Sequence, residues 1–422
     1  MFRTYSADVK AGQKVVLKGW VERTKLLGNM SFLVLRDRTG TAQITAKKGD
    51  VDDKVLDEIG KLGRESCVEV VGDAVESKIA KSGWEIIPEK ITVVSEAEKP
   101  LPLEFSGKID SGKDTRFDYR FLDLRNPEVA RIFWVRHKVL GLLHDYFRKE
   151  GFMEIHTPVI QAAGAEGGST LFTFKYYDKQ AYLRQSPQLY KQMMMASGLD
   201  KVYEIGQAFR AEKFHTRRHI SEFLSTDFEL AWVESEEDVM KVLEHMVVHV
   251  LKELKHEGID VKIPELPFPR LKYDEVIKTL DKAGLKLEWG SDLEDHHESK
   301  FGEIMAKKGV EWYFITKYPS KLKPFYIMMD GKVSRGLDLD YKGMELASGG
   351  QREHRYEVLV KVMKEKGLNP ADFKFYLDAF RYGCPPMGGI GFGTERFVKQ
   401  ILGIPDVQEV ILFPRTPDRL VP

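Results

Sequence analysis

Between Val202 and Trp232 the chain reads VYEIGQAFRAEKFHTRRHISEFLSTDFELAW, two strand-like segments joined by a loop dense in arginine, lysine and histidine. The return segment alternates. Leu224, Thr226, Phe228 and Leu230 fall on one face, and Phe223, Ser225, Asp227 and Glu229 fall on the other. An antiparallel pair with this pattern buries its apolar face and offers polar side chains on the opposite one. Arg210, Arg217, Arg218 and His219 then hang over the rim, giving a floor and a cationic lip suited to a polyphosphate. His215 and His219 stand four apart, as zinc ligands on a helix would, but Arg217 and Arg218 lie between them and no cysteine or carboxylate cluster is near. A charged hairpin tip can also be merely solvated, and the loop alone does not separate that reading from phosphate binding.

The 422 residues allow two or three domains, and 42% hydrophobic content is ample for a buried core. No apolar run approaches the roughly 20 residues needed to cross a bilayer. The start MFRTYSADVK lacks the apolar core of a secretory signal, so a cytoplasmic protein without a membrane partner is expected. Cys67 and Cys384 alone cannot build a zinc site and read as plain reduced thiols. Lys+Arg and Asp+Glu are equal at 65 each, so overall charge gives no sign of nucleic-acid binding. Local charge differs: residues 1–50 hold ten basic against four acidic side chains, and the next fifty hold seven against twelve.

From Lys14 to about Ser95 five short strands are expected, with Arg38-Thr39-Gly40 as a turn and a helix over Lys54 to Leu62. Five strands with one helical insertion fit a Greek-key barrel of the OB type over residues 1–100, a frequent binder of single-stranded nucleic acid, although OB folds host many functions. Phe32 could stack on an unpaired base and Gln43 could read a base edge, whereas an aromatic on a strand is by itself more often core. Lys99 to Asp118 is a polar connector, and residues 101–118 read as a hinge before a second domain over 119–422. That domain opens with an amphipathic helix, Pro127 to Glu150, running into GFMEIHTPVI. Gly164 to Ser169 is a glycine-rich loop carrying Glu166, either a lid or an exposed turn.

After a strand around Tyr182, QSPQLYKQ forms a strand-to-helix turn that exposes an amide and puts Lys191 in the first helical turn, commonly a surface position. A helix over Ser235 to Lys255 follows. Pro264 to Lys323 is mixed and polar, an insertion with no chemistry assigned. Strands are expected at Phe325 to Met329, Ser334 to Leu339 and Glu345 to Gln351, then a helix from Arg355 to Gly367. Last comes a glycine-rich strand entering a helix, Gly388 to Phe397, which alone is weak evidence for a nucleotide.

Taken together, three of these segments resemble the signature motifs of class II aminoacyl-tRNA synthetases. FRAE, a variable loop, an Arg-His pair and an acidic strand resemble the second motif. The long helix with GFMEIHTP resembles the first, and GGIGFGTERF the third. In this order behind an N-terminal barrel, they resemble class IIb and cover nearly the whole chain. The resemblance implies an α+β fold: an OB-type β-barrel followed by an antiparallel sheet flanked by helices, not a Rossmann fold. It also implies a homodimer formed through the first motif, with ATP, an amino acid and tRNA as substrates and Mg2+ as cofactor. In the implied reaction the amino acid's carboxylate attacks the α-phosphate in line, so catalysis is positioning and charge stabilisation. The adenylate is then passed to the 3′ hydroxyl at the tRNA end.

By the same resemblance Arg210 and Arg396 are the catalytic pair, Arg210 clamping the α-phosphate and the substrate carboxylate. Arg218 and His219 match γ-phosphate contacts, and Phe223 and Arg396 would sandwich adenine. Glu212, Ile220, Gly393, Thr394 and Glu395 complete the ATP site, while Glu345 and Ser348 match Mg2+ ligands, hard oxygens suited to that ion. Phe32 and Gln43 match readers of the central anticodon U, and Glu85 a contact to the first anticodon base.

Lys191 and Arg352 provide the cations that a β-carboxylate needs, which sides with the aspartyl branch of archaeal type. QSPQLYKQ resembles aspartyl enzymes, where asparaginyl relatives carry a non-basic residue in place of the lysine. Glu166, Gln188 and Asp227 would receive the α-ammonium, and Arg210 and Ser348 complete the aspartate site. The alternative is an asparaginyl synthetase or an amide-forming paralogue, since EKFHTRRHISEF and FPRTPDRL look as much asparaginyl as aspartyl. The intact barrel argues against the paralogue. A lysine-activating enzyme would repel its substrate at Lys191 and Arg352, and a regulatory protein that had lost catalysis would be expected to lack Arg210, Glu345 or Arg396. Glu22 stands where strict archaeal-type members carry Trp and relaxed ones His. A carboxylate there can accept from a cytosine amino group, so a modest preference for tRNA(Asp) over tRNA(Asn) is expected unless Glu22 faces solvent.

Overall fold

Alternating burial shapes the N-terminal strands, where Val15, Leu17, Val21, Leu33, Leu35, Ile44, Val68, Val70, Ile86 and Ile91 point into one core. In the computed structural model, which describes residues 2–104, 111–162, 170–211 and 217–422, these residues lie on β1 (Lys14–Leu27), β2 (Met30–Arg36), β3 (Thr41–Lys47), β4 (Cys67–Glu76) and β5 (Trp84–Ser95). The five strands close in the order β1-β2-β3-β5-β4. Helix Asp53–Lys61 is started by Asp52, whose carboxylate accepts from Lys54 N at 2.9 Å. The turn after β2 is held by Asp37, which accepts from Ser6 N at 2.7 Å and from Thr39 N at 2.7 Å. One ion pair, Arg36 to Glu65 at 2.7 Å, is buried beside it.

The chain divides into two compact units, Met1–Ser111 and Gly112–Pro422. The strands of the second are β6 (Met153–Glu154), β7 (Ile160–Gln161), β8 (Thr173–Tyr176), β9 (Lys179–Leu183), β10 (Lys201–Phe209), β11 (Glu222–Ala231), β12 (Arg270–Lys272), β13 (Trp312–Thr316), β14 (Met329–Asp330), β15 (Val333–Ser334), β16 (Gly336–Tyr341), β17 (Glu345–Gln351) and β18 (Met387–Gly393). Eight of them form one sheet in the order β12-β13-β16-β17-β18-β11-β10-β6. From β13 to β10 every neighbour is antiparallel, and only the edge pairs β12 with β13 and β6 with β10 are parallel. Phe228, Leu230, Leu337, Leu339, Ile390 and Phe392 face helices Pro127–Lys149 and Glu236–His256, which cover the sheet through Val139, Leu143, Leu243 and Val247. Asn126 and Ser235 cap those helices through their side chains.

The polar face of β11 carries Ser225, Asp227 and Glu229, all buried, with Ser225 and Asp227 on the wall of a cavity. The stretch 101–118 ends in a short helix, Lys113–Asp118, tied to the C-terminal segment by Lys113 to Asp406 at 2.6 Å and by Arg116 to Glu409. Two expectations are corrected. Phe325 to Ile327 do not form a strand. All three are buried in one cluster with Phe373 and Tyr376, so their apolar run reflects burial on every side rather than a pleat. Finally, Pro264 to Lys323 is no mere polar insertion, since it supplies β12 and the fully buried β13. Among the described residues no helix is long and apolar enough to cross a membrane.

Candidate active site

The open face of the sheet carries a cavity of about 450 Å³. Most of the singled-out side chains converge there: Gln188, Arg210, Arg218, His219, Ile220, Phe223, Asp227, Glu345, Ser348, Arg352, Gly393, Glu395 and Arg396. The pairing register explains the convergence. Asp338 lies opposite Ser348, Ser348 opposite Gly391, and Gly391 opposite Asp227, so one row crosses β16, β17, β18 and β11. The glycines of β18 leave that row open. A Cβ on Gly389 would collide with Phe228 O and the Glu229 carboxylate, and one on Gly391 would stand 3.2 Å from Asp227 Oδ1.

At one end of the cavity Arg352 lines the wall while Lys191 lies behind it, outside the lining, and both are set by carboxylates. Lys191, on helix Gln188–Met195, is 1% exposed and not a surface residue. It donates to Asp227 Oδ1 at 2.8 Å and Ile390 O at 2.7 Å, and it stands 3.5 Å from Glu229 Oε2. Arg352 donates to Glu229 Oε1 at 2.8 Å and to Gln188 Oε1 at 3.2 Å. The Glu229 charge outweighs the burial that disfavours a guanidinium and holds Arg352 above its ordinary pKa. Ser225 Oγ donates to Asp227 Oδ2 at 2.6 Å, which fixes the second carboxylate oxygen. Gln188 Nε2 is buried without a hydrogen-bond partner among the described residues, while its oxygen serves Arg352. Gln185 is buried and donates to Thr170 Oγ1 at 2.7 Å.

At the other end the Arg210 guanidinium lies over the Phe223 ring at 5.4 Å. Arg396 donates to Glu345 O at 3.1 Å, and its Nη1 stands 3.6 Å from Glu345 Oε1. Two members of the glycine-rich motif bind protein rather than face open space. Thr394 shares a hydrogen bond with Thr226 at 2.8 Å, and Glu395 accepts from Leu224 N at 3.1 Å and from Arg136 at 3.0 Å, linking the motif to the long helix and to β11. Glu166 and Glu212, together with the glycine-rich loop expected as a lid, lie outside the described residues.

Three contributors were missed by the reading of the sequence. Glu229 was placed by alternation on the face of Asp227, yet nothing in the pattern said that it alone would neutralise Arg352. Lys323 sits in the stretch read as inert, where it donates to both Asp338 oxygens at 2.7 Å. Tyr326, from the apolar run, stacks its ring against Arg352 at 5.6 Å.

On the first unit, Phe32, Gln43 and Glu85 share the outer surface while Leu33 and Ile44 turn inward. Gln43 donates to Glu85 at 3.2 Å, and Thr45, directly opposite Phe32, donates to the same carboxylate at 2.5 Å. Arg23 and Lys25, both exposed, stand opposite Val34 and Phe32. Glu22 is half-buried where the register slips between Val21 and Arg23.

A nucleotide-sized cavity on an antiparallel sheet, lined by residues of the second and third motifs and accompanied by an OB-type unit, defines a class. Residues 112–417 match the family described as tRNA synthetases class II (D, K and N), and residues 15–94 match the OB-fold nucleic acid binding domain; the chain belongs to that synthetase family. It is 49% identical, over the full length of both chains, to the aspartate–tRNA(Asp) ligase of Thermococcus kodakarensis. It is 46% identical to the aspartate–tRNA(Asp/Asn) ligase of Methanopyrus kandleri, covering 99% of each. Among solved structures, the asparaginyl-tRNA synthetase of Pyrococcus horikoshii superposes with a TM-score of 0.93 at 35% identity, each chain covered completely. The resemblance drawn from the motifs to the archaeal-type aspartyl branch is borne out.

Proposed function

We propose that this chain activates L-aspartate with ATP and transfers it to the 3′ end of tRNA(Asp), acting in the cytoplasm as a homodimer. Arg352 at one end of a cavity whose other end holds Arg210, Arg218 and His219, with Lys191 buried behind it on Asp227, carries this reading. A substrate with a second carboxylate gains a charge-assisted contact at that end, whereas the amide of asparagine brings no charge to it. Asp227 retains acceptor capacity for the α-ammonium, and Arg210 reaches the α-phosphate and the attacking carboxylate. No protein nucleophile is required, so the residues orient substrates and stabilise developing charge. Exposed Phe121, Trp134 and Met153, around the first motif, support the homodimer. ATP–pyrophosphate exchange with each of the twenty amino acids tests the reading: exchange driven by aspartate is expected, and exchange driven by asparagine alone would overturn it. Charging of tRNA(Asp) and tRNA(Asn) transcripts then establishes the acceptor.

The residues around Glu345 fit a Mg2+ ion. Glu345 and Ser348 offer one carboxylate and one hydroxyl from β17, with Asp338 opposite Ser348. Glu345, Asp340 and Glu298 are all held above the usual carboxylate range, first by burial and then by neighbouring carboxylates, Asp338 for Glu345, Glu345 for Glu298, and Glu298 and Glu345 for Asp340, an excess of negative charge that a divalent cation relieves. Among the described residues no group of three or more His, Cys, Asp or Glu side chains is arranged to hold a metal ion by itself, so a Mg2+ ion here would need further ligands from phosphate and water. When bound, Mg2+ would neutralise phosphate charge. Glu345→Gln should raise the Mg2+ concentration needed for half-maximal exchange; an unchanged metal dependence would remove Glu345 from the ligand set.

The OB-type unit is assigned to the anticodon. Phe32→Ala and Gln43→Ala should each weaken charging, by about 1 to 3 kcal/mol where a stacked base is lost, and leave aspartate-dependent exchange unchanged. A parallel fall in both activities would make these residues structural instead.

A further inference from the structure

The segment between Pro264 and Lys323 lines part of the cavity through Asp292, Leu322 and Lys323, and its second helix grips one cavity residue, Arg218. Arg218 Nη1 donates to Glu298 Oε2 at 2.5 Å and stands 3.4 Å from Asp295 Oδ1. Its Nη2 donates to Ser299 Oγ at 2.8 Å and to Gly343 O at 2.8 Å. The side chain thus lines the cavity while helix Asp295–Lys307 and the turn between β16 and β17 hold its guanidinium. That helix is fixed in turn. Phe301 and Met305 pack on Tyr273 and Tyr313, and Gly302 lies directly against Gly343, leaving no room for a Cβ on either. Gly343 has φ +74°, and a Cβ there would fall 2.7 Å from Glu298 O. A long cationic side chain on a loop loses rotamer entropy when it grips a phosphate, and a fixed bed of acceptors removes that loss in advance.

We infer that Glu298 is a positioning residue for the terminal phosphate of ATP, acting through Arg218, and that the helix bearing it is the outer wall of the triphosphate end of the site. The inference rests on the proposed role of Arg218. Glu298 itself need not touch ATP, and nothing in its surroundings involves the aspartate end, where Lys191 and Arg352 are held by other carboxylates.

Aspartate-dependent exchange by the wild type is measured first; its absence would overturn the proposed function and not bear on Glu298. With it present, Glu298→Ala should raise the KM for ATP about tenfold or more, the scale of one charge-assisted hydrogen bond. The KM for aspartate, the binding of a non-hydrolysable aspartyl-adenylate analogue, which has no γ-phosphate, and the thermal midpoint should stay near wild type. Glu298→Gln keeps an acceptor oxygen for Arg218 and should recover most of the loss. Unchanged or tighter ATP binding in the Ala variant would overturn the inference, as would equal losses for ATP and the analogue, or a Gln variant as defective as the Ala variant.

Discussion

Arg210→Ala should abolish aspartate-dependent pyrophosphate exchange while the protein stays folded. The side chain stands at the end of β10 on the cavity wall, its guanidinium over Phe223. Its backbone N–H donates to Ser221 O at 2.9 Å, a bond that the substitution leaves in place. Removing one preorganised donor from a developing oxyanion costs about 3 to 4 kcal/mol, or two to three orders of magnitude in rate, and Arg210 is proposed to serve both the phosphate and the attacking carboxylate. Truncating a half-buried arginine above an aromatic ring costs much less in stability, about 1 kcal/mol for the cation–π contact. Exchange near the wild-type rate, with an unchanged thermal midpoint, would reject the clamp.

The second large effect is expected at Lys191. Lys191→Leu leaves Asp227 buried without the cation that pairs with it and leaves Glu229 with Arg352. Two losses follow from one change. Aspartate loses a cation in a desolvated site, about 2 to 5 kcal/mol, and the fold loses a partner of a buried pair, about 3 to 5 kcal/mol. The Coulomb attraction of the original pair does not offset this, because the penalty comes from the carboxylate left behind. The KM for aspartate should therefore rise far more than the KM for ATP, and the thermal midpoint should fall. Equal losses for both substrates would mean that the variant fails by misfolding alone.

Both arguments depend on burial, the property least legible in the chain itself. Alternation in residues 223–230 was enough to place Asp227 and Glu229 on one face, and the motifs assembled most of the singled-out residues around one cavity. Alternation describes side-chain direction but not what lies against it, so nothing in the pattern set Lys191 and Arg352 against Asp227 and Glu229. Lys191 had the spacing of an ordinary surface lysine. Only its position beneath Asp227 and the Ile390 carbonyl distinguishes it. The stretch from Pro264 to Lys323 failed for the opposite reason. Its two amphipathic helices dilute the apolar signal of β13, and the contact from Glu298 to Arg218 spans 80 residues, a separation to which no local pattern is sensitive.

The bare backbone of β18 bears on how such a site can change over time. Pockets usually drift in selectivity through small steps, one methyl group gained or lost on a lining side chain. Gly389 offers no such step, because even the first methyl collides with Phe228 O and the Glu229 carboxylate, and at Gly391 the same methyl presses on Asp227. With the floor closed to gradual variation, an altered choice of amino acid has to arise from exchanges at the cationic end, where a single replacement reverses the charge preference at once. A floor without side chains therefore makes evolution of specificity in this fold abrupt rather than continuous.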